Sequence, residues 1–87
     1  MVERMDYIEK GVRDIVTDVI NYYHKGKVNR IGINTPLADY ELDSMDVTTI
    51  ILDLERKFAV RIMEDERELL VSANDIVELI RHKISEK

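Results

Sequence analysis

The 87 residues contain no cysteine, which excludes a disulfide framework and a thiolate metal site. Any thiol chemistry must therefore come from an attached group. No apolar run approaches the ~20 residues of a bilayer-spanning helix, so membrane insertion is not expected. The opening Met-Val-Glu-Arg-Met-Asp carries charge where a signal peptide would need an apolar run, and a cytoplasmic, monomeric protein is expected. The sequence has no glycine-rich phosphate loop and no Ser/His/Asp arrangement with a supporting motif. The two histidines, His24 and His82, stand alone near expected helix ends, where histidine serves the helix dipole more often than a metal. The acids at 64–68 lack the alternating spacing and the glycine of a calcium loop. A chain this short has little capacity for a deep, lidded cleft, so no catalytic and no metal residues are assigned.

What is present fits one globular domain over residues 1–87, with 45% apolar and 36% charged residues. The net charge of −5 is unevenly spread. Residues 39–68 hold ten acids against four bases, whereas residues 1–38 hold five against six and residues 69–87 three against three. A concentrated negative field favours basic partner surfaces and disfavours nucleic acid. It is also compatible with a merely solvated face. Tyr22, Tyr23 and Tyr40 are accordingly read as core edges rather than base-stacking platforms.

From Val2 to His24, Met5, Ile8, Val12, Ile15/Val16, Val19/Ile20 and Tyr23 recur at helical spacing. Gly11 should weaken this helix by about 1 kcal/mol relative to alanine, and Lys25-Gly26-Lys27 should end it. The period then disappears from Val28 to Leu42, where Gly32, Asn34 and Pro36 punctuate a long loop pinned by Val28, Ile31, Ile33 and Leu37. A second helix starts at Asp43, a good N-cap, with Val47, Ile50/Ile51, Leu54 and Phe58 as its core stripe. Residues 59–62 read as an extended link, and 64–69 as one or two helical turns. Ser72-Ala73-Asn74-Asp75 has the spacing of a capping box and opens a last helix with Ile76, Leu79/Ile80 and Ile84 on its buried face. The expected fold is an all-α four-helix bundle with a long first loop and a short third helix.

Leu42-Asp43-Ser44-Met45-Asp46 is the informative stretch. Serine and aspartate are common at helix starts, so the triplet alone has a purely structural reading. Its context carries more. Asp43-Ser44-Met45 resembles the Asp-Ser-Leu or Asp-Ser-Met signature of acyl carrier proteins. Leu54-Glu55-Arg56-Lys57-Phe58 is similar to that family's Leu-Glu-x-x-Phe at the end of the same helix. Arg61-Ile62 with Glu64-Asp65-Glu66 resembles its link into a short third helix, and Ile33-Asn34-Thr35-Pro36-Leu37 its loop. The resemblance covers nearly the whole chain.

The resemblance implies a non-catalytic carrier. Ser44 would hold a covalent 4′-phosphopantetheine delivered by a phosphopantetheinyl transferase, with Asp43 beside it as a recognition acid. The arm would carry acyl groups as thioesters for fatty-acid, polyketide or specialised lipid synthesis. An aminoacyl or peptidyl carrier, or a helical interaction module without the arm, are the alternatives. Met45 and Leu52, about 20° apart in azimuth, lie away from the core stripe, since Ile50 is about 140° from Met45. In the family the matching positions form an apolar patch read by synthases or acyltransferases with basic docking surfaces. Here Asp46, Thr48, Glu55 and Arg56 would border that patch. Val47, Ile51, Leu54 and Ile62 would line an acyl-chain pocket. Thr49, Arg56, Lys57 and Arg61 depart from the usual acidic pattern, and Tyr40-Glu41-Leu42 lacks the frequent glycine. These departures favour specialised use and leave the pathway open.

Overall fold

The computed structural model describes residues 2–24 and 31–86, with side chains at 7–22 and 31–86. The expected helix stop at Lys25-Gly26-Lys27, the anchor Val28, and the side chains of Met5, Tyr23 and His24 lie outside the described residues. Within them the chain forms α1 (Val2–His24), α2 (Ser44–Phe58), α3 (Glu64–Arg67) and α4 (Ala73–Ser85), with no strand. None of these helices is long and apolar enough to cross a membrane.

The amphipathic spacing of each long helix determines what it buries. α1 contributes Ile8, Val12, Val16, Val19 and Ile20; α2 contributes Ile50, Ile51, Leu54 and Phe58; α4 contributes Ala73, Ile76, Val77 and Ile80. α1 packs against both α2 and α4. Leu54 is fully buried, and each such aliphatic side chain removed from water stabilises the bundle by about 1.5–3 kcal/mol. Val47 and Ile84 pack on this core as half-buried residues.

Gly11 has a packing role that periodicity alone does not show. A Cβ there would lie 2.7 Å from Phe58 Cζ and 2.8 Å from Lys57 Cε. The missing side chain lets the end of α2 close onto α1. Tyr7 meets Phe58 edge-on at 5.8 Å, and the Lys57 ammonium sits 5.5 Å from the Tyr7 ring. Tyr22, by contrast, is 77% exposed, which corrects the expectation of a core-edge residue. At 100° per residue Tyr22 falls about 90° around α1 from the centre of the buried stripe, so its side chain points away from the core. Tyr40 does pack against the core.

The loop before α2 is held by its backbone. Leu37 N–H donates to the Val71 carbonyl at 2.7 Å, and Asn74 N–H donates to the Ile33 carbonyl at 2.8 Å. Ile31 and Leu37 are buried beneath these bonds. The segment from Ile33 to Leu37 is thus stitched to the entry of α4. A single 3-10 turn, Leu37–Tyr40, follows within what sequence alone reads as loop. Glu41 closes that turn in the left-handed region at φ 61°.

The link after α2 also opens differently from a plain extended strand. Ala59 adopts the left-handed conformation at φ 54° and donates its N–H to the Glu55 carbonyl. Ile62 N–H then donates to Glu55 Oε2 at 2.8 Å, folding the link back onto α2.

Candidate functional site

Asp43 sets where α2 begins. Its backbone is extended (φ −93°, ψ −177°), and its Oδ1 accepts the Asp46 N–H at 2.9 Å. Asp46 Oδ2 accepts the Asp43 N–H at 3.2 Å in return. The Asp43 carbonyl receives the Val47 N–H at 3.0 Å, the first full helical bond. Two carboxylates thereby lie on the positive end of α2, where the helix dipole favours them.

Ser44 is the first residue inside this cap, and it is exposed. The capping box consumes the N–H groups of Asp43 and Asp46. Those of Ser44 and Met45 find no acceptor among the described residues. The result is an accessible hydroxyl beside unsatisfied donors at a helix N-terminus, a setting that suits a phosphodiester.

Beyond Ser44 the exposed side of α2 is partly apolar. Met45 is 77% exposed and Leu52 48%. Thr48, exposed, and Thr49, half-buried, donate their hydroxyls to the carbonyls of Ser44 and Met45 at 2.9 and 3.1 Å. Asp46 is only 6% exposed, so it acts within the cap more than toward solvent. Glu55 is half-buried, with one carboxylate oxygen committed to the Ile62 N–H. Arg56 is exposed in the last turn of α2, at the dipole's negative end.

The four residues read as an acyl-chain pocket sit in or against the core. Ile51, Leu54 and Ile62 are buried, and Val47 is half-buried. Of the four, Ile62 borders an open cleft of about 500 Å³ between the end of α2 and α3, together with Val60, Arg61, Met63 and Arg67. Sequence reasoning missed this cleft, because it depends on how the link folds back through Glu55. It also missed the apolar residues exposed around α3, namely Met63, Leu69 and Val71. Their irregular spacing on a four-residue helix offers no periodic signal.

α3 is attached mainly by polar contacts, for it contains no buried residue. Glu66 Oε1 accepts the Met63 N–H at 2.8 Å and pairs with Lys83 of α4 at 3.0 Å. The Met63 hydrogen bond, then that from Lys83, holds the Glu66 carboxyl below its usual range. At α4, Asp75 Oδ2 accepts the N–H groups of Ser72 and Val71 at 3.1 and 2.9 Å, as the Ser72–Asp75 spacing predicts.

A family model described as the phosphopantetheine attachment site matches residues 10–82, a span that includes this whole arrangement. The chain is 35% identical over 84 residues to the acyl carrier protein of Amoebophilus asiaticus, covering 95% of this chain and 100% of that relative. The chain belongs to the acyl carrier protein family. It is also 28% identical over 80 residues to the acyl carrier protein of Buchnera aphidicola subsp. Schizaphis graminum, covering 91% of this chain and 96% of the relative. Similarity to the acyl carrier protein of Chlamydia trachomatis serovar D is more local, at 38% over 47 residues. That match spans 54% of this chain and 61% of the relative's length. Membership of the family implies a covalently attached 4′-phosphopantetheine, and the exposed hydroxyl with open N–H donors at the start of α2 fits such a group.

Proposed function

We propose that the chain is one carrier domain, residues 1–87, whose Ser44 takes 4′-phosphopantetheine and presents acyl groups to partner enzymes. The observation that carries this reading is the exposed Ser44 hydroxyl at the first turn of α2, inside the span of the attachment-site match.

Among the described residues no general base is placed on Ser44, and a separate phosphopantetheinyl transferase supplies one. Ser44 Oγ attacks the pantetheine-side phosphorus of coenzyme A. The Oγ–P bond forms, the P–O bond to the adenosine bisphosphate breaks, and the hydroxyl proton goes to the transferase. The N–H groups of Ser44 and Met45 then face the phosphodiester, and the α2 dipole favours its charge. The thiol of the attached arm holds the acyl group as a thioester. Asp43 fixes the turn that presents Ser44 and offers its second carboxylate oxygen to the transferase.

Partner recognition combines the apolar pair Met45 and Leu52 with the surrounding charge. Asp39, Glu41 and Asp43 are exposed near Ser44, and basic residues on a transferase, synthase or acyltransferase complement them. Thr48 and Arg56 lie on the same exposed side of α2, with Arg56 reversing the charge at its far end. Partners should therefore read a surface graded from acidic near Ser44 to basic near Arg56. Val47, Ile51, Leu54 and Ile62 would make room for an acyl chain by parting α2 from α3, whose polar attachment through Glu66 and Lys83 is the part of the bundle least supported by burial. A cytoplasmic setting goes with this role. Intact-mass analysis after treatment with coenzyme A and a broad-specificity transferase tests the assignment.

A further inference from the structure

The groove between α1 and α2 holds charge that the fold leaves unmatched. It is an open cavity of about 400 Å³ lined by Asp18, Val19 and Tyr22 of α1 and by Thr49 and Asp53 of α2. Val19 is buried, whereas Asp18 is exposed and Asp53 half-buried. The described acids earlier on α1 have a cation one turn away: Glu9 pairs with Arg13 at 3.3 Å and Asp14 with Lys10 at 2.9 Å. Asp18 has no such neighbour, since the residues four before and four after it are Asp14 and Tyr22. Asp53 has Lys57 one turn on, but that ammonium sits 5.5 Å from the Tyr7 ring and 5.9 Å from the Phe58 ring instead. Neither carboxylate forms an ion pair among the described residues. Two like charges therefore border one cavity, and a cation seated between them would relieve their repulsion.

Beside them stands Tyr22, 77% exposed, an aromatic ring that neither the core nor the Ser44 site accounts for. Two carboxylates and an aromatic face together suit a guanidinium. Its planar fork presents donors to both carboxylates while its face stacks on the ring, which a compact ammonium does less well. The chain's net charge of −5 draws such a group from solution.

The groove also lies away from the Ser44 hydroxyl. Asp53 is nine residues beyond Ser44, about 180° around α2. Glu55, which borders the cleft with α3, is within about 20° of Ser44. A partner in the groove thus occupies the α1 flank of α2 and leaves Ser44 and the α3 flank open. Such a contact anchors the chain without displacing an enzyme that acts on Ser44.

We propose that the α1–α2 groove docks an arginine side chain of a protein that holds this chain while Ser44 stays accessible. The guanidinium lies between Asp18 and Asp53 and against Tyr22. The proposal rests on the carrier reading only for the use to which Ser44 is put.

The probe is the blocked tripeptide acetyl-alanyl-arginyl-leucyl amide, titrated into the full ¹⁵N-labelled chain, with its citrulline counterpart and spermidine as comparisons. The arginine peptide should shift the amides of residues 18–22 and 49–53 most strongly. The citrulline peptide, which keeps the shape and loses the charge, should leave them in place. Asp18→Asn/Asp53→Asn should weaken the arginine peptide at least about fivefold, and Tyr22→Ser at least about twofold. Glu64→Gln/Asp65→Asn, which removes the same charge from α3, should leave its affinity unchanged. All three variants should keep the far-ultraviolet dichroism of the wild type. Loading of Ser44 by the transferase, followed by mass, should stay within about twofold of wild type in the groove variants and under saturating arginine peptide. Equal binding of the citrulline peptide, tighter binding of spermidine, shifts centred on residues 39–43, or equal weakening by the α3 variant would overturn the proposal. Loading slowed beyond that range would also overturn it, by placing the groove under the transferase. If the wild type is not loaded at all, the carrier reading fails instead, and the titration still decides whether the groove takes an arginine.

Discussion

Asp43 and Asp46 cap each other: each accepts the other's backbone N–H, at 2.9 and 3.2 Å respectively, across the first turn of α2. Two like charges are thereby held in one turn by four groups that satisfy one another, and Ser44 and Met45 are the residues they enclose. The arrangement predicts a separation of roles. Asp43→Asn retains a capping oxygen and should change stability by only a few tenths of a kcal/mol, whereas Asp46→Ala should cost about 1 kcal/mol. Chemical denaturation reads both. Asp43→Lys should slow transferase use and reduce its sensitivity to salt, since it removes an exposed charge from the encounter surface. Unchanged rates across ionic strength would make the acidic end a solubility feature.

Gly11→Ala tests the close approach of α1 and α2. Helix propensity alone would make the substitution stabilising by about 1 kcal/mol. The added Cβ would meet Phe58 Cζ at 2.7 Å, and Phe58 is buried, so the ring must shift. Overpacking of this kind costs about 1–3 kcal/mol, and a net loss in the denaturation midpoint is expected.

Glu41 and Ala59 occupy left-handed backbone at φ 61° and 54°. The left-handed conformation costs a residue with a Cβ about 1–2 kcal/mol. Glu41→Gly and Ala59→Gly should therefore each raise the thermal midpoint. A fall in either midpoint would show that the side chain contributes more than its backbone strain costs.

The Glu66 carboxyl is held below its ordinary value of 4.5 by the Met63 N–H and then by Lys83. A carboxylate with a depressed folded-state pKa stabilises the fold above that ordinary value, and the contribution fades as pH falls through the folded one. Stability followed by denaturation from pH 7 to below 4 should show this acid-side loss. In Glu66→Gln the slope below about pH 4.5 should be shallower, with little change near neutrality beyond the constant offset of the substitution.

The long helices were legible in the sequence because their signals are local. The Asp43 cap, the Ser72–Asp75 spacing and the apolar stripes of α1, α2 and α4 all lie where their spacing puts them. Ser44 was singled out by the resemblance of its surroundings to the acyl carrier signature, whereas the exposure of Met45 and Leu52 followed from the helical periodicity. Features that depend on a distant partner were not legible. The role of Gly11 requires Phe58, the 3-10 turn at Leu37 requires the Val71 carbonyl, and the α2–α3 cleft requires Glu55 to draw in Ile62. Tyr22 misled because tyrosine in an amphipathic helix is ambiguous between core edge and surface.

The central claim is that Ser44 carries the prosthetic arm, and intact-mass spectrometry after incubation with coenzyme A and a broad-specificity phosphopantetheinyl transferase tests it most directly. The wild-type chain should gain the mass of one phosphopantetheine group, fragment analysis should place it on Ser44, and Ser44→Ala should gain nothing. No gain in the wild type, or an equal gain in Ser44→Ala, would contradict the assignment.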